Sequence, residues 1–250
     1  MIGSKKIACV IPARLNSSRF PKKILSTLLG KPLLQRVWEK ALSVDYFDRV
    51  VFAIDSQETA SLIDSFQGEY IFTEISCESG TDRLIELMQK EKIKADIWVN
   101  WQADEPFICK QMVDDLLQTC EADDCDVWTL KKEITLSEEI RSPHIVKVVS
   151  DEKGEALYFS RSPIPYHRDT TSKSPTYFKH IGMYAYTEQA LEKLAKLEPC
   201  ELELTEKLEQ LRFLYHRLSV RVHKTKHEVF GIDLPEHLAL AESKLLNDLT

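Results

Sequence analysis

The chain has 250 residues, of which 43% are hydrophobic and 29% charged, and its formal net charge is −7. That is too apolar for a disordered chain, and no run approaches the ~20 apolar residues of a membrane span. The acidic balance argues against wholesale nucleic-acid binding, and the length suits one large α/β domain or a domain carrying a sizeable insertion.

Residues 7–11, IACVI, read as a buried strand that Pro12 stops. The loop behind it carries Arg14, Arg19, Lys22 and Lys23, with Asn16, Ser17 and Ser18 among them. A buried strand running into a flexible cationic loop is how many α/β proteins present a phosphate site at the carboxyl edge of a sheet. In an acidic chain such a loop favours a small anionic ligand. A solvated basic surface loop is the plainer alternative, and no Walker A sequence is present.

Gly30 and Pro32 then mark a turn, and Leu33, Leu34, Val37, Trp38 and Ala41 recur at helical spacing. Residues 49–54, RVVFAI, form a second strand closed by Asp55, residues 56–66 a helix, and 69–72 a short strand. This alternation is the βαβ signature of a parallel sheet with helices on its faces. Ser79 and Gly80 break the chain before another helix, residues 95–99 give the next strand, and 110–121 a helix.

From about 132 the character changes. A strand near 126–131 is followed by a short acidic helix, and then by two apolar stretches, 144–150 and 156–160, joined by the hairpin turn Glu152-Lys153-Gly154-Glu155. Residues 161–179 read as irregular, 180–186 as a strand, 187–197 and 203–217 as helices, 218–224 as a strand, and the chain closes on a helix to about 248. The six cysteines have no CxxC or zinc spacing and read as reduced thiols. Reduced thiols make the cytoplasm the expected location, and the N-terminus runs straight into a strand with no leader pattern.

Several polar groups bear on chemistry. Gln102-Ala103-Asp104-Glu105-Pro106 follows a buried strand; a carboxylate there suits Mg²⁺, which takes one or two protein carboxylates beside phosphate oxygens and water. Two acids in a surface turn are the alternative. Gly231-Ile232-Asp233 offers a second, distant carboxylate, or simply a helix cap. Ser79, Gly80, Thr81, Asp82 and Arg83 either contact a base or ribose, or cap a helix. His180 and Tyr184, four apart on a strand, face one side. Serine-hydrolase, β-lactamase and dinucleotide motifs are absent.

Taken together, IPARLNSSRFPKKIL, SGTDRL, VNWQADEPFI, VKVV before ALYFSRSPIP, HIGMYAY, LEQLRFL and GIDLPEHL occur in order from residue 11 to 238. This arrangement resembles the 3-deoxy-manno-octulosonate (Kdo) cytidylyltransferase family over nearly the whole chain. The resemblance implies a GT-A-like α/β nucleotidyltransferase fold: a mixed, mostly parallel sheet flanked by helices, with a smaller antiparallel part for dimerisation and sugar binding. It divides a single domain into a nucleotide core, about 1–131 and 205–250, and a sugar and dimer part, about 132–204. It implies CTP and a 2-keto-3-deoxy sugar acid as substrates, Mg²⁺ as cofactor, a homodimer, and a product, CMP-Kdo, for lipopolysaccharide.

By the same resemblance Arg14, Arg19 and Lys23 match the phosphate loop, Lys23 at the catalytic lysine, with Arg14 and Asp104 beside it in catalysis. Ser79, Gly80 and Arg83 match the cytidine side, and Gln102 the junction of sugar and nucleotide. Asp104 and Asp233 match the metal-binding aspartates. Arg161, His180, Tyr184, Glu209 and Gln210 match the sugar-acid pocket.

The chain departs from the family pattern in places. Lys22 stands where the family loop has glycine, Ile24 where it has proline, Trp101 and Ala103 where the strand has valine and glycine, and His237 where an acid is usual. These leave open a modified or different acid, such as 8-amino-Kdo or a sialic acid, and a non-catalytic nucleotide-binding relative. A cytidylyltransferase for methylerythritol phosphate fits ALYFSRSPIP and HIGMYAY poorly.

Overall fold

The computed structural model describes residues 3–16, 20–122, 124–169, 171 and 175–247. The chain forms two compact units, one of residues 1–113 and 228–250, the other of 114–227. The units part at 113 and 227.

In the first unit β1 (Ile7–Ala13) is buried at all seven positions, as a strand covered on both faces must be. A hairpin of β2 (Thr27–Leu28) and β3 (Lys31–Pro32) leads into α1 (Leu33–Leu42). That helix buries Leu33, Leu34, Val37, Trp38 and Ala41, the five residues at helical spacing, and Trp38 stacks on Phe52 at 5.2 Å. Then follow β4 (Arg49–Ile54), α2 (Gln57–Asp64), β5 (Tyr70–Phe72), α3 (Gly80–Gln89), β6 (Ile97–Asn100) and α4 (Lys110–Leu117).

Strands pair in the order β6-β1-β4-β5, all parallel, with Cys9 opposite both Val50 and Val99, and Ala53 opposite Ile71. The chain moves outward from β1 through β4 and β5, then returns to β6 on the other side. The reversal between β1 and β6 opens a crevice at their carboxyl ends, where ligands of open α/β sheets bind. The loops after these two strands are the cationic loop and Gln102–Pro106.

The second unit takes over within α4, at residue 114, and continues with β7 (Val127–Glu133), α5 (Ser137–Arg141) and the hairpin of β8 (Lys147–Ser150) and β9 (Ala156–Ser160). Its turn is closed by Asp151, whose Oδ1 accepts from the N–H groups of Lys153 and Glu155 at 2.9 and 2.8 Å. Next come β10 (Phe178–Thr187), α6 (Glu188–Leu194), α7 (Glu201–Glu206), α8 (Gln210–Tyr215) and β11 (Val220–Lys224). Strand β10 runs antiparallel to β7 and β8, and β11 parallel to β7.

One expected element divides. The helix read over 203–217 is two helices, because Lys207 adopts φ +53° between them. The break is braced by Glu203, whose two oxygens accept from Arg212 Nε and Nη2 at 2.7 and 2.5 Å.

The last helix, α9 (Glu236–Asn247), belongs to the first unit. Ile232 and Ala241 are buried with Leu28 and Leu33, and Phe20, Phe107, Phe230, Leu238 and Leu245 pack around them. This cluster ties the C-terminal segment beneath the cationic loop, and so brings Asp233 toward a strand end far from it in sequence. No described helix is long and apolar enough to cross a membrane.

Candidate active site

The crevice between the β1 and β6 ends is a cavity of about 380 Å³ lined by Pro12, Arg14, Lys23, Ile24, Glu78, Ser79, Gly80, Arg83, Gln102, Ala103, Asp104 and Asp233. Eight of the residues expected at a nucleotide and metal site are among these: Arg14, Lys23, Ser79, Gly80, Arg83, Gln102, Asp104 and Asp233. Arg19 lies outside the described residues.

Lys23 opens a single 3₁₀ turn, Lys23–Leu25, anchored by the buried side chain of Ile24. Its Nζ donates to Asp104 Oδ2 and, at 3.3 Å, to Asp233 Oδ1. The two aspartates are 129 positions apart, but the backbone couples their segments: the Ile232 N–H donates to the Asp104 carbonyl at 2.9 Å. On the far side, the Asp233 N–H donates to His237 Nδ1 at 3.2 Å. His237 therefore braces the turn that carries Asp233, which gives this departure from the family pattern a structural role.

Glu105 is a residue that the sequence reading left without a role. Its Oε2 is buried and has no hydrogen-bond partner. Burial, with the carboxylates of Asp104 and Asp233 nearby, pushes its pKa up to about 8, against the pull of Lys23. Two aspartates sharing one ammonium leave a net negative charge at the cavity, and the buried carboxyl of Glu105 beside them is held mostly in its neutral form. Two convergent carboxylates facing a cavity are the donor set that Mg²⁺ takes, and the residues fit that ion.

Opposite the carboxylates, Ser79 caps α3: its Oγ accepts from the Asp82 N–H at 3.1 Å, while Asp82 Oδ2 accepts from the Ser79 N–H at 2.9 Å. The helix start thus has its capping box, and it lines the cavity as well. Gly80 is needed for closeness. A Cβ there would lie 3.1 Å from Asn100 Nδ2 and 3.2 Å from Pro12 Cγ. Gln102 is oriented by Asn100, whose Oδ1 accepts from Gln102 Nε2 at 2.9 Å. Arg14 is exposed, and its Nη1 reaches the Glu78 carbonyl at 3.3 Å. Arg83 is buried, at 2% exposure, and bonds Asp55 and Thr73.

The other departures also find places. Lys22 turns away to Glu58, and its backbone stands at φ +56°. Ala103 is buried, and its methyl group joins the cavity lining. Trp101 is fully buried with its Nε1 unpartnered, a feature nothing in the structure explains.

Of the residues expected at a sugar acid, Gln102 lies in the first unit, and Arg161, His180, Tyr184, Glu209 and Gln210 lie in the second. His180 and Tyr184 stand together with ring centroids 5.5 Å apart, and Tyr184 meets Phe213 of α8 at 6.3 Å. His180 Nε2 pairs with Thr129 Oγ1 at 2.9 Å, and burial pushes its pKa down to about 3. Glu209 is the residue before α8, and Gln210, its first residue, is buried. Arg161 donates to the carbonyls of Glu206, Pro143 and Lys207 at 2.6, 2.9 and 3.3 Å, so its guanidinium is held by backbone.

A parallel sheet with a cationic loop and paired carboxylates at its switch point defines an α/β protein of the nucleotidyltransferase kind. The same fold appears in a glucose-1-phosphate thymidylyltransferase from Bacillus anthracis described as putative, with a TM-score of 0.65 at 12% identity, covering 95% of this chain and 94% of that one. Residues 8–221 match the cytidylyltransferase family. The 3-deoxy-manno-octulosonate cytidylyltransferase of Thermodesulfovibrio yellowstonii is 41% identical over 249 residues, 96% of this chain and 97% of that one. Its counterpart in Geobacter metallireducens is 40% identical over 250 residues, 96% and 98% of the two chains. The structure of a CMP:2-keto-3-deoxy-manno-octonic acid synthetase complexed with CTP superposes with a TM-score of 0.91 at 39% identity, covering 97% of this chain and 99% of that one. The chain belongs to the 3-deoxy-manno-octulosonate cytidylyltransferases.

Proposed function

We propose that this protein transfers CMP from CTP to the anomeric hydroxyl of 3-deoxy-manno-octulosonate, giving CMP-Kdo and pyrophosphate. The observation that carries the reading is the ammonium of Lys23 held between Asp104 and Asp233 at the carboxyl edge of β1 and β6. The anomeric hydroxyl attacks the α-phosphate in line, and pyrophosphate leaves. Such a reaction asks the protein mainly for positioning and for neutralising charge.

Lys23 and Arg14 offset charge on the α-phosphate and the leaving pyrophosphate, as guanidinium and ammonium groups do on phosphoryl oxygens. Arg19 is assigned to the same loop. Asp104 and Asp233 hold Mg²⁺. When bound, the ion neutralises phosphate charge and lowers the pKa of an oxygen it contacts. Ser79, Gly80, Arg83 and Gln102 receive the nucleotide. Arg161, His180, Tyr184, Glu209 and Gln210 receive the sugar acid; at neutral pH His180 is an uncharged hydrogen-bonding group, since burial disfavours its protonation.

The proposed setting is the cytoplasm, where the product feeds lipopolysaccharide synthesis, and the proposed assembly is a homodimer through the second unit. Leu157, Leu204 and Tyr215 of that unit are 62%, 54% and 61% exposed, which supports a covered face. Light scattering that finds a monomer at micromolar concentration would contradict the dimer.

The reading is tested by incubating the protein with CTP, Mg²⁺ and Kdo, 8-amino-Kdo or a sialic acid, and following products by phosphorus NMR. CMP-Kdo with equimolar pyrophosphate is expected. A better rate with another acid reassigns the substrate, and CTP binding without product from any of them makes the protein a nucleotide-binding relative.

A further inference from the structure

Arg83 lines the nucleotide cavity, yet it is almost wholly buried and its guanidinium is already engaged. Its Nη2 donates to Asp55 Oδ2 at 2.8 Å, and its Nη1 donates to Thr73 Oγ1. The other oxygen of Asp55 accepts from the backbone N–H of Leu15 at 3.0 Å. Thr73 is fixed in turn, its N–H and Oγ1 donating to the Ile54 carbonyl at 2.7 and 3.1 Å.

One carboxylate therefore joins two halves of the cavity wall. Leu15 is the first residue after Arg14 in the cationic loop, two positions beyond the end of β1. Arg83 is in the first turn of α3, beside Ser79 and Gly80. Asp55 sits at the end of β4, between the β1 and β5 ends in the sheet order. The side chains of Arg83 and Asp55 are 2% and 9% exposed.

A buried ion pair of this kind is a poor source of stability. The desolvation of two charges roughly offsets their attraction, and apolar replacements of equal volume often do as well. What the pair gives is fixed geometry. A guanidinium is a rigid fork, and two of its five N–H groups set its plane. The residue so fixed is one of those that line the cavity.

We propose that Asp55 is a positioning residue for nucleotide binding: it holds the arginine on the base side of the cavity and the start of the phosphate loop in register with one another. The proposal rests on the nucleotide reading of this cavity. It assigns Asp55 to the binding of CTP and not to the transfer step, because none of its partners is Lys23, Asp104 or Asp233.

The test uses the full chain and CTP itself. Asp55→Asn is near-isosteric and keeps an acceptor oxygen for the Leu15 N–H, but it sets an amide against the guanidinium. CTP affinity is measured by calorimetry below the unfolding temperature of each variant, and KM and kcat by pyrophosphate release. Asp55→Asn should weaken CTP binding and raise its KM by about tenfold or more, the loss of roughly one charge-assisted hydrogen bond, with kcat at saturating CTP within about threefold of wild type. KM for the sugar acid should stay within about twofold. The double variant with Arg83→Lys should bind CTP no worse than Arg83→Lys alone, since Asp55 acts in large part through Arg83.

Wild-type CTP affinity in Asp55→Asn, whether or not its melting temperature falls, overturns the proposal while leaving the nucleotide reading intact. Additive losses in the double variant overturn it as well. A wild-type protein that binds no CTP overturns the nucleotide reading and the proposal with it.

Discussion

Lys22 Nζ donates to both carboxylate oxygens of Glu58, at 2.8 and 2.7 Å. Glu58 stands in the first turn of α2, so the extra cation of the cationic loop is tied to a helix start and not to the cavity. The backbone of Lys22 has φ +56°, a conformation natural to glycine that costs other residues about 1–2 kcal/mol. An ion pair this exposed, 58% and 48% for the two side chains, returns about 0–1 kcal/mol.

Lys22→Gly removes the strain together with the pair, so its melting temperature should equal or exceed that of wild type. Glu58→Ala keeps the strain and loses the pair, and should melt lower. Thermal scans of the two variants check the order. The rate with CTP should stay within about twofold of wild type in Lys22→Gly, because its ammonium is not in the cavity; a large loss would place Lys22 on the nucleotide.

Lys23, one residue on, should behave differently. Its ammonium is shared by Asp104 and Asp233, and Lys23→Ala should lower kcat by about 100-fold or more, the range for losing one preorganised electrostatic donor. Steady-state pyrophosphate release measures this, and a near-wild-type rate would remove Lys23 from catalysis.

Two histidines make the second unit sensitive to acid. Burial pushes the pKa of His180 from the usual 6.5 down to about 3, and that of His223 down to about 4, where the charge of Arg221 adds to burial. The unfolded chain takes up these protons near pH 6.5 and the folded chain does not. Stability is therefore complete above pH 6.5 and falls as pH drops from 6.5 toward 4. Urea midpoints across this range should decline, and His223→Gln should flatten the decline; an unchanged slope would contradict the assignment.

Lys147 is fully buried in β8, with its Nζ donating to the carbonyls of Ser142, Ile145 and Arg161 at 2.8, 2.6 and 2.5 Å. Burial lowers its pKa, so the ammonium is retained against a desolvation cost. Lys147→Met keeps the volume and strands three carbonyls, and should cost about 2 kcal/mol or more by equilibrium unfolding. Because one of those carbonyls belongs to Arg161, KM for the sugar acid should rise as well.

The periodic elements are legible in the sequence. Leu33, Leu34, Val37, Trp38 and Ala41 mark the buried face of α1 by spacing alone, and IACVI and RVVFAI are apolar enough to be central strands. The cavity-lining loops could be read too, since each follows a buried strand or opens a helix. Lys207 was not: left-handed backbone at a lysine has no sequence signal, and the pattern on either side of it is helical. From sequence Asp55 reads only as the residue closing a strand, because its partners Leu15 and Arg83 lie 40 and 28 positions away. Glu105 was hidden by its neighbour, as two adjacent acids in a turn do not reveal which one is buried.

The most direct test of the account is the rate of pyrophosphate release from CTP and Kdo, with Mg²⁺, in Asp104→Asn against wild type. Asparagine keeps the size of the side chain and removes the charge that faces Lys23 and that is proposed to hold Mg²⁺. A loss of about 100-fold or more, with the fold intact by circular dichroism, is the predicted result. Full CTP- and Mg²⁺-dependent turnover in Asp104→Asn would contradict it.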